Sequence, residues 1–322
     1  MAKSSVSVIV PIYKAEKYIA RCATSLFDQT LQNMQFVFVD DCSPDNSLEV
    51  LSEIIKDYPN RNIKIVSHTE NKGVAVARNS GLEICDGEYV AYCDADDFVD
   101  VCMYEELYNK ASEANADSVL CDFYMHYGEN DNIVYNTIRL GTKEDTIKKY
   151  ISYDWTLIST LMAKKSIYDK NRLSFTENIK YCEDFHLNFN LLYASNVITK
   201  VDKPLYYYNR TNENSSMNHL NDESFMDERY VYDSIMKKLR SENTLKIYER
   251  EISWRVLKNK QDLVLDPQRH NEFMKIHPNT HKYILSCPMS FCNVKIKIMM
   301  WMLTHHCRII LLALIFIRNM FK

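Results

Sequence analysis

No two of the ten cysteines form a Cys-x-x-Cys pair, so the usual spacing of a structural zinc site or a thiol–disulfide motif is missing. Cys22, Cys85, Cys93 and Cys121 fall within apolar patterns and read as reduced core residues. Lysine and arginine are not gathered along the N-terminal two-thirds, and the formal charge is −4, so the chain carries no nucleic-acid footprint. No signal-peptide pattern precedes Val6, so a cytoplasmic setting is expected. His270, His277 and His281 are spaced too irregularly to suggest a metal site. Glycine is scarce as well, five in 322 residues, and Gly73, Gly81 and Gly87 are expected to border one crevice. What remains, 46% hydrophobic and 25% charged, is ample for one large core with an accessory region.

The most informative stretch is Glu88-Tyr-Val-Ala-Tyr-Cys-Asp94-Ala-Asp96-Asp97, where three carboxylates follow a short run of strand formers. Anions this close repel one another unless a cation neutralises them. Hard oxygen ligands at a strand end suit Mg²⁺ or Mn²⁺, which keep several waters and bridge to a phosphate-bearing substrate. Upstream, Val6–Val10 reads as a buried strand, and Tyr18–Leu31 follows a helical period. Phe36–Val39 is a second strand ending in Asp40-Asp41, and Asn46 with Glu49 has the spacing of a capping box. Ile63–Val66 leads to Asn71-Lys72-Gly73 and a helix carrying Arg78. Strand and helix alternate four times in about ninety residues, which predicts an α/β fold with a mostly parallel sheet and helices on both faces. Ligands of such sheets sit beyond the carboxyl ends of the strands. Pro11, Tyr13, Asp40, Asp41, Lys72, Arg78, Asp94 and Asp96 all fall there.

These segments resemble family 2 glycosyltransferases of the GT-A fold. The resemblance rests on Val6-Ser-Val-Ile-Val-Pro-Ile-Tyr13, Val39-Asp-Asp-Cys-Ser-Pro-Asp-Asn-Ser47, Asn71-Lys-Gly-Val-Ala-Val-Ala-Arg-Asn79 and Gly87–Asp97. It extends to Glu183-Asp184 and the Arg210–Ser216 stretch. Cys42 stands where the family usually has Gly, and Cys182 where it has Gly or a small residue. The resemblance implies a nucleotide-sugar donor, with a UDP-sugar favoured. Tyr13 and Pro11 would lie against the base, Asp41 would accept a hydrogen bond from it, and Asp40 would lie beside the ribose. Arg78 would bring positive charge to the diphosphate, whereas Lys72 reads as a surface residue. Asp96 would be the direct ligand of the Mg or Mn ion, with Asp94 at the ribose or a metal-bound water. Asp97 would stand behind them. Arg210 and Ser215 would face the diphosphate, and His219 would complete the metal shell. Asp184 would deprotonate the acceptor hydroxyl, with Glu183 as its orienting neighbour. One base and direct displacement imply inversion.

Further along, Glu105–Ala114 reads as a helix and Ser118–Tyr124 as a strand. Residues 130–141 read as a polar hairpin or loop, and Trp155 as a sugar platform or a core aromatic. Phe185, Leu187, Phe189, Leu191 and Leu192 mark the buried side of a helix, and Val201–Tyr208 is a final strand. Two halves, 1–125 for the nucleotide sugar and 126–220 for the acceptor, would make up the domain 1–220, followed by a helical extension 221–290. Residues 291–322 hold two apolar runs separated by Thr304-His-His-Cys-Arg308 and flanked by lysine and arginine. Arg308 and the histidines make spanning costly, so residues 294–322 suggest a basic helical segment lying on the membrane surface, the alternative being a dimer contact or a helix packed on the catalytic domain. The expected placement is peripheral, on the inner face of the cell membrane, with a saccharide or lipid-linked acceptor of surface-polysaccharide synthesis. Two other readings fit parts of the chain: a phosphatase using Asp94 and Asp96, and a catalytically silent membrane-associated scaffold.

Overall fold

Four strands with buried apolar runs set up the first half of the molecule: β1 (Val6–Ile12), β2 (Met34–Asp40), β3 (Asn62–Ser67) and β4 (Tyr89–Tyr92). The computed structural model describes residues 3–128, 131–152, 157–212, 222–305, 307 and 311–312. All four strands are parallel, in the order β3-β2-β1-β4, so their carboxyl ends share one edge. Helices α1 (Ile19–Phe27), α2 (Ser47–Ile55) and α3 (Val74–Ile84) are the crossovers between them. Side chains alternate across the strands. Val8 and Val10 join Ala23, Leu26 and Phe27 of α1 in one core cluster. Ile9 and Val39 point the other way, toward Gly81 of α3, so helices cover both faces.

Beyond β4 the sheet becomes mixed. β5 (Phe98–Val99), α4 (Met103–Ala114), β6 (Ser118–His126), β7 (Asn132–Tyr135) and α5 (Lys143–Ser152) follow in the chain. Then come β8 (Leu161–Lys164), α6 (Lys165–Asn171), α7 (Glu183–Ala194) and β9 (Ile198–Asn209). β8 pairs antiparallel with β4 and β6, β7 hairpins onto β6, and β9 runs parallel to β6 and antiparallel to β5. The expected parallel sheet is therefore its N-terminal half, and antiparallel pairs extend it. On α7 the five residues read as its buried side are all buried.

Residues 3–147 and 157–212 lie in one compact unit. Residues 148–152, the last turn of α5, group with a second unit built from α8 (Asp222–Ser241), α9 (Leu245–Asn259), α10 (His270–Lys275) and α11 (Val294–Thr304). There Arg255 Nε donates to Ile151 O at 2.7 Å.

Three local expectations differ from the structure. The first helix stops at Phe27, because the Gln29 amide turns to Asp100 O at 2.7 Å and Thr30 N–H to Val101 O at 3.0 Å. Asn46 does not cap α2: its amide donates to Glu16 Oε1 at 3.0 Å, and Asp45 accepts from Ser47 N–H at 3.3 Å instead. Gly87 precedes the amino end of β4, where it donates to Ser7 Oγ at 2.9 Å, so it lies on the edge opposite the crevice. Gly81 sits against the sheet. A Cβ there would lie 2.5 Å from Ile9 Cγ2 and 3.3 Å from Val39 Cγ2, which is how α3 comes close enough to aim Arg78.

Gly81→Ala is expected to lower stability by about 1–3 kcal/mol, since a stiff β-branched neighbour must give way. An unchanged urea midpoint would mean that α3 is free to shift outward.

Candidate active site

Parallel register brings the carboxyl ends of β1 and β2 together, with Ile12 opposite Asp40. Asp41 N–H continues that ladder to Ile12 O at 2.9 Å. The Asp41 carboxylate is then enclosed, 2% exposed. Oδ1 accepts from Lys72 N–H at 2.9 Å and lies 2.8 Å from His68 Nδ1, while Oδ2 accepts from Gly73 N–H at 2.7 Å. Gly73 has φ of +90°, a conformation open to glycine. Asp41, expected at the base, is thus first a strap between the end of β2 and the start of α3. Asp40 is also buried and accepts from Ser43 N–H at 3.0 Å. Pro11 is part of β1, Tyr13 stands 43% exposed just past its end, and Lys72 is exposed.

Arg78 gathers three distant segments. It is buried at 4% exposed, and its Nη2 donates to Asp94 Oδ1 at 2.7 Å while Nη1 donates to Glu183 Oε1 at 2.9 Å. The guanidinium also lies over the Phe175 ring at 5.0 Å. Both terminal nitrogens are therefore committed to carboxylates. Arg78 thereby ties the acidic turn after β4 to the first turn of α7. Burial opposes its charge, but Asp94 and Glu183 outweigh that and raise its pKa.

Asp184 sits beside this bridge, partly buried, with Oδ1 accepting from Phe185 N–H at 2.6 Å. Burial, then the neighbouring Glu183 charge, push its carboxyl up to about 7, against the pull of Arg78. Glu183 is raised by burial as well. A carboxylate that titrates near neutrality is suited to general-base work.

The acidic turn is held from behind. Asp97 is 1% exposed and accepts from Tyr206 O–H and, at 2.7 Å, from Asn209 N–H. The same Tyr206 hydroxyl accepts from Asp94 N–H at 3.3 Å. Asp96 Oδ2 accepts from Asn212 at 2.7 Å, and its carbonyl from Arg21 Nη2 at 3.4 Å. Burial and the charge of Asp94 raise Asp96, which is what a cluster of acids does when no cation offsets it. Among the described residues no group of three or more His, Cys, Asp or Glu side chains gathers in a way that could hold a metal ion. Arg210 lies with its guanidinium 5.7 Å from the Tyr208 ring and its N–H on His126 O at 2.8 Å. Ser215, His219 and Trp155 lie outside the described residues.

Sequence reading missed several supporting residues. Asn79 clasps the Phe175 backbone, donating to its O at 3.0 Å and accepting from its N–H at 2.8 Å. His68 bridges Asp41 to Ser80 Oγ at 2.9 Å. Tyr206 lies in a run of three tyrosines, and nothing in the run marks which one faces the acids. Cys42 and Cys182 adopt φ of +56° and +66°, the left-handed region in which glycine costs least.

The sequence profile of the family described as Glycosyl transferase family 2 matches residues 7–171. Among curated proteins, the uncharacterized glycosyltransferase EpsJ of Bacillus subtilis is 31% identical over 222 residues, 65% of this chain and 62% of EpsJ. Staphylococcus aureus TarP, a poly(ribitol-phosphate) beta-N-acetylglucosaminyltransferase, is 32% identical over 222 residues, 67% of this chain and 65% of TarP. The match thus spans just under two thirds of either protein's length. The crystal structure of S. aureus TarS 1-349 in complex with UDP-GlcNAc shares the fold: TM-score 0.70, 21% identity, 94% of this chain and 91% of that one.

Folding makes the Asp184 proton harder to remove, so the stability contributed by this group is present below the unfolded carboxyl pKa near 4 and is lost as pH rises through about 7. Asp184→Asn is expected to raise the thermal midpoint, with the gain over the parent growing between about pH 4 and pH 7 and level above that in a melting series. A gain that stays flat across that range would show that the carboxylate is not strained.

Proposed function

This chain belongs to glycosyl transferase family 2, and on that premise we propose that it is an inverting enzyme moving a sugar from a nucleoside-diphosphate donor to an acceptor hydroxyl. The observation that supports the reading is the Arg78 bridge from Asp94 to Glu183, the neighbour of Asp184, whose carboxyl feels the charge of Asp94. Donor and acceptor chemistry need these two parts in one place. The donor side would use Tyr13, Pro11, Asp40 and the strapped Asp41 around the nucleotide. Asp96, with Asp94 beside it, would hold a Mg or Mn ion, which supplies Lewis-acid stabilisation of the departing diphosphate. Arg210 and Ser215 would close over the diphosphate, and His219 would be a further ligand.

Across from them, Asp184 takes the proton of the acceptor hydroxyl as its oxygen attacks the anomeric carbon. Glu183, held by Arg78, fixes the first turn of α7 so that the Asp184 carboxylate keeps its aim. A UDP-sugar is favoured, in keeping with the likeness to TarS bound to UDP-GlcNAc. A saccharide or lipid-linked acceptor of surface-polymer synthesis is in keeping with the name of TarP.

Contact with the inner membrane face is the remaining part of the proposal. No helix among the described residues is long and apolar enough to cross a membrane. On α11, Ile296, Met299, Met300, Met302 and Leu303 are buried, whereas Val294, Ile298 and Trp301 form an exposed apolar stripe beside exposed Lys295. An apolar stripe with a lysine flank suits an anionic lipid surface.

Incubation with labelled UDP-sugars, Mn²⁺ or Mg²⁺ and an acceptor panel tests the reaction. Asp184→Asn and Asp96→Ala are each expected to lower kcat/KM by about 10²–10⁴-fold. For the parent, kcat/KM is expected to rise with pH through about 7, as the base loses its proton. Full turnover by Asp184→Asn would remove Asp184 from the chemistry. For the membrane surface, Ile298→Glu with Trp301→Glu is expected to abolish co-sedimentation with phosphatidylglycerol vesicles while leaving UDP binding intact. Equal pelleting of parent and variant would refute that contact.

A further inference from the structure

The helical unit contains a cavity of about 450 Å³, within the size range of small-ligand pockets. Arg229, Asp233, Met236 and Arg240 line it at positions i, i+4, i+7 and i+11, a single face of α8. The facing wall comes from α9 through Glu249 and Ser253, and Lys275 and His277 close it from the end of α10 and the turn that follows.

The charges in this cavity do not balance. Asp233 lies 2.8 Å from His277 Nε2, which burial keeps toward its neutral form, and Glu249 is taken by Lys282 at 3.1 Å and the Tyr283 hydroxyl at 3.2 Å, so two carboxylates stand against the four cations Arg229, Arg240, Lys275 and Lys282. Arg229, Arg240 and Lys275 have no ion-pair partner among the described residues. Nearby, Lys260 is fully buried, and among the described residues its ammonium meets neutral acceptors: Ile276 O at 2.6 Å, His281 Nε2 at 2.9 Å and Phe273 O at 3.5 Å. Burial, and after it the charge of Arg229, pull its pKa down to about 7.

We infer that this cavity is a binding site for a phosphate ester of a sugar or polyol, with Arg229, Arg240 and Lys275 holding the phosphate. Arginine forks match phosphate oxygens bidentately, and three cations suit a dianion. A bare phosphate would leave most of the space empty, since a water takes only about 30 Å³. The rest is suited to a small carbon skeleton with hydroxyls, because Met236, Leu245 and Pro278 offer apolar surface and Ser253, Asn279 and Thr280 offer polar groups. None of the residues assigned to sugar transfer takes part, so the inference stands apart from the proposed reaction.

Calorimetric titration of the full chain, with UDP and Mg²⁺ present to occupy the catalytic unit, tests it with sn-glycerol 3-phosphate, inorganic phosphate and glycerol as probes. Saturable binding of glycerol 3-phosphate is expected, tighter than inorganic phosphate, with no heat from glycerol. Arg229→Gln with Arg240→Gln is expected to weaken it at least tenfold while UDP binding persists. Lys56→Gln, which removes an exposed cation that does not line the cavity, is expected to leave it unchanged. Should the double variant lose UDP binding through misfolding, Lys275→Gln is read instead, with the same direction expected. Equal affinity in parent and cavity variants, or no saturable binding of either phosphate, overturns the assignment.

Discussion

A guanidinium that has lost its water needs acceptors around it, and the two terminal nitrogens of Arg78 find them in carboxylates far apart in the chain, Asp94 after β4 and Glu183 at the start of α7, while its Nε is buried without a partner. Desolvating a charge costs several kcal/mol, and good geometry with both partners offsets it. The dependence runs in both directions. Without Arg78, two acids beside Asp184 would face one another unneutralised. Without either acid, a buried cation would be left with half its partners. Gly81 lets α3 approach the sheet and Asn79 clasps Phe175, so the helix that carries Arg78 is fixed at both of its contact surfaces.

The N-terminal half of the fold was legible because parallel strands buried on both faces are written as continuous apolar runs, and because crossover helices keep a 3.6-residue period. Acids at the ends of β2 and β4 were legible for the same reason: strand ends at one edge become neighbours. The mixed half was harder to read, since β8 is four residues long and its pairing with β4 and β6 is fixed by tertiary contacts alone. What Asp41 and Arg78 touch was not legible either. Sequence gives a charged residue its neighbourhood, whereas its partners depend on which backbone N–H groups or carboxylates the fold leaves unsatisfied nearby. Asn46 illustrates this at small scale: Glu16, thirty residues away, took the amide that the local pattern reserved for the helix.

Cys42 and Cys182 show a different kind of departure. Each holds a left-handed backbone at a border of the site, where a Cβ costs about 1–2 kcal/mol. The chain keeps the backbone shape that glycine would take without strain, so the turn geometry is imposed by its surroundings. Cys42 follows the strapped Asp41, and Cys182 precedes the anchored Glu183, so a strongly fixed residue adjoins each strained one. The phosphatase reading of Asp94 and Asp96 leaves this whole arrangement around α7 without a role.

The Asp41 strap has a thermodynamic consequence of its own. Three donors from residues 68–73 converge on one carboxylate, so the segment between β3 and α3 is held by contacts within the fold itself. Whatever settles against that floor meets a surface whose conformational entropy was surrendered during folding. Discrimination among ligands there would accordingly be expressed as contact enthalpy and shape, with little contribution from loop ordering.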